Sequence, residues 1–363
     1  FIVPSTLLLA IGSSVHMGTL DVSMLLLISV IYYFTVALVE KSKNMRTYEL
    51  TTARVLLMAV TASFALYLSN NDRLVMGVAL GVAALGNMIW SIGSMHVQKQ
   101  PDKQHEIVLW ISFVASLVAF LVIAGVESPL REVISFALLG VIAAVSFAAL
   151  ALLRRTRFGG MVVVSGILLV PTGTRLFDID SITALHLQYS IFMLMALLPI
   201  VCRLLVLKRP EITTSQAVLV YGAAAAWLLM TVLISSIFWV TYPAGEGMLY
   251  LSSSVAVAAI IMGIAAWREK VYGLMIGIHA SLLLMALLIA SYFKLAGEDI
   301  AILTAWLNGL SLLLLVEWLY NYRNEAAVKC RKLLLYSAIG AAGLIIFSSI
   351  HPAVWLPLAA LLY

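Results

Sequence analysis

Residues 159–190, GGMVVVSGILLVPTGTRLFDIDSITALHLQYS, hold the densest set of chemistry-bearing side chains within an apolar context. Pro171 and Gly173 interrupt an apolar run, Thr172, Thr174 and Arg175 lie at the interruption, and a new helix is expected near Thr183 with His186 and Gln188 in its first turns. Hydrocarbon tolerates irregular backbone only where protein or water satisfies its polar groups. An interrupted span is therefore a pointer to a substrate site. The alternative is that Pro171 simply ends the span at the outer surface. Arg175 with Asp178 and Asp180 reads either as an outer anion or sugar site or as a surface ion pair.

A second group lies inside apolar runs. His279 falls about 8 residues into its run, roughly 12 Å at 1.5 Å per residue. A polar ring at that depth needs a partner. Asn87 and Asn308 are the other polar side chains so placed, with Ser235 and Ser236 near in depth. They either line a polar cavity or tie helix to helix. The substrate-route candidates are thus Asn87, Pro171, Thr172, Thr174, Arg175, His186, Gln188, His279 and Asn308. His16, His186 and His351 all map to outer helix ends, where three imidazoles could hold a metal, a haem or a quinone head group.

Other chemistries lack their signatures. There is no nucleotide-binding motif, nucleophile elbow, zinc spacing, Cys-x-x-Cys or His-Glu-x-x-His. The segment EKSKNMRTYEL lacks the Gly/Asp/Arg pattern of major-facilitator carriers, and no family signature is recognised. No cofactor is predicted. Cys202 and Cys330 fall near the ends of helices and imply no disulfide framework.

The elements that must position these residues follow from composition. With 63% hydrophobic and 11% charged residues, the chain lies outside the range of soluble domains and reads as all-α and membrane-embedded. Apolar runs occur near 2–15, 22–39, 51–69, 74–95, 107–126, 133–153, 159–174, 183–206, 217–240, 248–267, 271–293, 300–320 and 334–350, with a fourteenth from about 353. This predicts a polytopic protein of 13–14 transmembrane helices. Loops that begin near 41, 97, 154, 207, 267 and 322 make it a series of two-helix hairpins with short connections.

Charge orients the prediction. One set of loops and helix ends, Arg54 and Arg203 included, holds 18 of the 22 basic residues, whereas Arg73, Arg131, Arg175 and Lys294 lie opposite. The basic side is expected to be cytoplasmic, with the N-terminal end entering from it. All 17 acidic residues also map to loops or helix ends, so no ionisable group is expected at the midplane. That lowers the odds of an ion-driven pump, which needs such a group to carry charge.

Residues 1–363 read as a single transmembrane domain with sub-repeats at 1–158 and 159–333, and 334–363 opening a further hairpin. The repeat rests on Ser13-Ser14-Val15-His16 matching Ser348-Ser349-Ile350-His351. Gly77-x-x-x-Gly81 and Gly273-x-x-x-Gly277 allow close helix approach, expected within the bundle.

Three functions remain open. The first is transport or flipping of a neutral or amphipathic, lipid-linked substrate without a midplane ionisable residue. The second is a non-catalytic membrane subunit of a larger complex, working with a protein partner or with flanking domains beyond either end, since both termini look like cuts through helices. The third is an outer-face histidine site. The expected partner in every case is the lipid bilayer, not nucleic acid, and the expected location is the cell membrane, a prokaryotic plasma membrane.

Overall fold

The computed structural model describes residues 18–98, 103–205, 213–241, 246–320, 322 and 325–348. Among these, twelve α-helices and one 3₁₀ turn account for all regular structure, with no strand. In chain order they are α1 (Thr19–Val39), α2 (Lys43–Leu68), α3 (Arg73–Gln98), α4 (Lys103–Ala124), α5 (Arg131–Leu153), α6 (Gly159–Leu176), α7 (Ser181–Leu205), α8 (Thr214–Thr241), α9 (Glu246–Glu269), α10 (Leu274–Tyr292), α11 (Gly297–Tyr320) and α12 (Glu325–Ser348). Eleven of them, α1 to α11, are long and apolar enough to cross a bilayer. The chain is a multi-pass helical membrane protein. The expected spans near 2–15 and from 353 lie outside the described residues.

Many hydroxyls in the spans are satisfied within their own helix, because serine and threonine donate back to carbonyls one turn earlier. Ser23 to Thr19, Thr52 to Tyr48, Ser165 to Met161, Ser235 to Thr231 and Thr304 to Ile300 all do so. Three helices end in a Schellman turn built on a left-handed residue other than glycine. Asn70, Asp178 and Lys294 take φ of 55°, 49° and 51°. The amides of Asn71, Ile179 and Leu295 then reach back to the carbonyls of Leu66, Thr174 and Ala290.

That pattern corrects the expected interruption at Pro171. Helix α6 runs through Pro171 and Gly173 and ends at Leu176. The proline removes one amide donor, and the Thr172 hydroxyl donates to the Leu168 carbonyl beside the gap at 2.8 Å. Helix α7 likewise continues through Pro199.

The chain divides into two compact units, one up to Ile179 and one from Asp180. In the first, α3 to α6 close on a core of Met88, Leu109, Phe113, Leu139, Ile142 and Met161. A smaller cluster of Tyr33, Ala53 and Leu56 joins α1 to α2. Gly77 draws α3 onto α4: a Cβ there would stand 2.7 Å from Ile123. In the second unit, Tyr272, Met275, Leu312, Leu319, Cys330 and Leu334 join α10, α11 and α12, and Ile200, Ala224 and Ile261 join α7, α8 and α9. Gly277 brings α10 against Met262 of α9, whereas Gly273 faces open space.

Candidate functional site

Helix α2 begins eight residues before the apolar run at 51, and this changes the position of Arg54. The residue is not at a helix end. It lies nine residues into the span Met45–Leu68, roughly 14 Å along the axis. An ionisable group therefore does sit within a span, contrary to the charge map. Hydropathy marks where a segment becomes apolar, and the polar stretch Lys43–Leu50 is helical all the same.

Four hydrogen bonds hold the Arg54 guanidinium. Its Nε donates to Asn87 Oδ1 at 3.1 Å, one terminal nitrogen donates to the Asn87 carbonyl at 3.3 Å and to Ser91 Oγ at 3.1 Å, and the other meets His105 Nδ1 at 3.2 Å. Arginine can only donate. His105 Nδ1 must therefore accept, which puts the proton of a neutral ring on Nε2. Asn87 and Ser91 are four residues apart on α3 and so share one face. His105 is in the first turn of α4, beside Gln104, whose side-chain amide donates to the Thr47 carbonyl of α2.

Every one of these acceptors is neutral. Among the described residues no carboxylate pairs with Arg54. The nearest acidic cluster along α4 is already occupied, since Glu106 pairs with Arg155 at 3.4 Å and also with Arg157. Arg54 thus keeps its positive charge without a carboxylate partner among the described residues.

The charge borders a cavity of about 880 Å³, inside the range of small-molecule sites. Its polar end consists of Arg54, Asn87, Gln104 and His105, and its walls are Val30 and Phe34 of α1, Leu57, Met58 and Thr61 of α2, and Val82, Ala83, Gly86 and Trp90 of α3. Along α2 the lining runs from Leu50 to Thr61, roughly 16 Å. Thr61 donates to the Leu57 carbonyl, so its hydroxyl is satisfied within the helix.

The other candidate residues fall elsewhere. Thr174 donates to the Pro171 carbonyl at 2.9 Å. Arg175 is exposed in the last turn of α6 and pairs with neither Asp178 nor Asp180. Asp178 supplies the left-handed turn, and Asp180 precedes α7 with its carboxylate on the Thr183 amide at 3.0 Å. Hydrogen bonds from Thr183, from its hydroxyl first and its amide second, hold the Asp180 carboxyl below its ordinary pKa. These roles account for both acids as parts of the turn.

His186 meets the Tyr250 hydroxyl at 2.6 Å and stacks 4.7 Å from the Phe238 ring. Tyr189, one turn along α7, reaches the Tyr250 carbonyl and Ser253, and Ser254 links it to Ser235. Gln188 is half-buried. His16 and His351 lie outside the described residues, and among those described no three His, Cys, Asp or Glu side chains group as a metal site.

His279 and Asn308 sit on neighbouring helices α10 and α11, both buried. His279 Nδ1 meets Ser311 Oγ at 2.8 Å, and Asn308 donates to the Ala338 carbonyl of α12 at 3.1 Å. They act as ties between helices. Asn87 joins Arg54 in the first unit instead.

Arg54, Ser91, Gln104 and His105 escaped the sequence reading. The usable signal was spacing: Leu50, Ala53, Arg54, Leu57, Met58 and Thr61 fall on one helical stripe, and Asn87 with Ser91 supplies polar acceptors four residues apart. Comparison with protein-family models, curated proteins and solved structures returned no match.

Proposed function

We propose that the chain is a membrane transporter or flippase for an amphipathic substrate, taken up in the cavity beside Arg54. The observation that carries this reading is an uncompensated arginine within a span, aimed along the edge of an 880 Å³ cavity between α1, α2 and α3. Ionisable side chains at membrane depth are expensive and mark substrate paths. Neutral acceptors fix the guanidinium in position without cancelling its charge, which is what a binding group requires. The asymmetry of basic residues orients the polar end of the cavity towards the cytoplasm.

The test is translocation in proteoliposomes holding the purified full chain. Tail-labelled fluorescent phosphatidate, phosphatidylglycerol, phosphatidylcholine and a neutral glycolipid serve as probes, read by quenching from outside. Protein-dependent movement of at least one probe is expected, and Arg54→Gln should slow it at least tenfold. Rates equal to protein-free vesicles for all four probes would overturn the reading.

A further inference from the structure

We infer that the occupant of the Arg54 cavity is a lipid with a phosphate-bearing head, the phosphate on Arg54 and the chain along the groove of α1, α2 and α3. This deepens the transport reading and rests on it for its meaning, although binding can be measured alone.

The head follows from charge. Arg54 presents five N–H donors, four of them engaged by Asn87, Ser91 and His105. One donor remains, and the bonds to Ser91 and to neutral His105 can be exchanged for an oxyanion at a gain in charge assistance. Once the guanidinium turns to the anion, the Ser91 hydroxyl can donate to it as well. A carboxylate or a phosphate would meet the charge. Phosphate fits better, because two of its oxygens can take the guanidinium while a third takes the Ser91 hydroxyl.

The tail follows from the walls. Beyond Asn87 the lining is apolar, and Phe34, Val82 and Trp90 are 52%, 65% and 67% exposed. On helices that cross a bilayer, side chains so exposed have hydrocarbon as their surroundings. The cavity is therefore open sideways to lipid, and its polar groups other than Thr61 gather around Arg54. A free anion would use the polar groups and leave the apolar lining between Arg54 and Thr61, roughly 10 Å along α2, unfilled. A lipid uses both.

Binding to the full chain in mild detergent tests this by titration calorimetry. The probes are dioctanoyl phosphatidate, dioctanoylglycerol with the same tails and no phosphate, and inorganic phosphate. Phosphatidate should bind at least tenfold more tightly than either of the others. Arg54→Gln should weaken it at least tenfold, with Arg54→Lys recovering part of the loss. Val82→Trp, which fills the groove and leaves Arg54 untouched, should also weaken phosphatidate at least tenfold and guards against misfolding of the Arg54 variants. Equal binding of dioctanoylglycerol, equal binding of inorganic phosphate, or unchanged binding in Arg54→Gln would each overturn the inference. Phosphatidate binding with no translocation of any probe leaves this inference standing and sinks the transport reading. Translocation with no phosphatidate preference does the reverse.

Discussion

Two arginines, one in each unit, are handled in opposite ways. Arg203 near the end of α7 is wholly buried, and its Nε donates to Glu269 Oε1 at 2.7 Å while the Tyr221 hydroxyl donates to the same oxygen at 2.9 Å. Arg54 is half-buried beside a cavity and meets only neutral acceptors. The first is a closed charge pair joining α7, α8 and α9, and it offers nothing to a ligand. The second is positioned without being neutralised. The contrast shows that burial of a charge is a poor guide to function by itself, and that the sign and reach of its partners are what matter.

The sharpest way to break this contrast is to remove the counter-ion in the second unit. Glu269→Gln leaves Arg203 buried beside a neutral group, and such losses run to roughly 3–5 kcal/mol. Denaturant unfolding in detergent should show a drop of that order. Arg54→Gln, by the same measurement, should cost no more than about 1.5 kcal/mol, since its acceptors border an open cavity. If the two variants destabilise equally, Arg54 is a structural group and the contrast fails.

A smaller effect is expected from Asn308→Leu, which cuts the bond to the Ala338 carbonyl. Buried polar ties between membrane helices average about 0.6 kcal/mol. Stability should fall by that order while translocation is retained. Abolished translocation would move part of the route into the second unit.

The smallest effect concerns pH. The Asp180 carboxyl is held below its ordinary value by its bond to Thr183, so its contribution is present above the unfolded pKa and is lost as pH falls through the folded one. Below about pH 4, the melting temperature of the wild type should approach that of Asp180→Ala, the two differing most near neutrality. An equal gap at both pH values would show that the cap does not titrate.

The spans were legible in the sequence because twenty consecutive apolar residues have few alternatives. Their ends were not. Hydropathy placed the second span at 51, whereas α2 starts at Lys43, and it placed the thirteenth at 334, whereas α12 starts at Glu325. Polar residues can extend a helix beyond its apolar run, and that extension is what carries Arg54 inward. Pro171 misled for a related reason. A proline removes one donor, and the helix need not end there: α6 continues through the gap to Leu176. Asn87 was visible as a buried amide, yet its partner was not, because the pairing of α2 with α3 is set by packing and leaves no trace in the order of residues.

The pair in the second unit also has a history within synthesis. Arg203 precedes Glu269 by 66 residues, so at 5–20 residues per second the cation leaves the ribosome roughly 3–13 s before its counter-ion exists. Helix α7 must wait at the bilayer rim, or shelter its arginine in water, until α9 arrives to neutralise it. Until Glu269 is made, the Arg203 guanidinium lacks the carboxylate it meets in the fold, so their contact can close only after α9 has been synthesised.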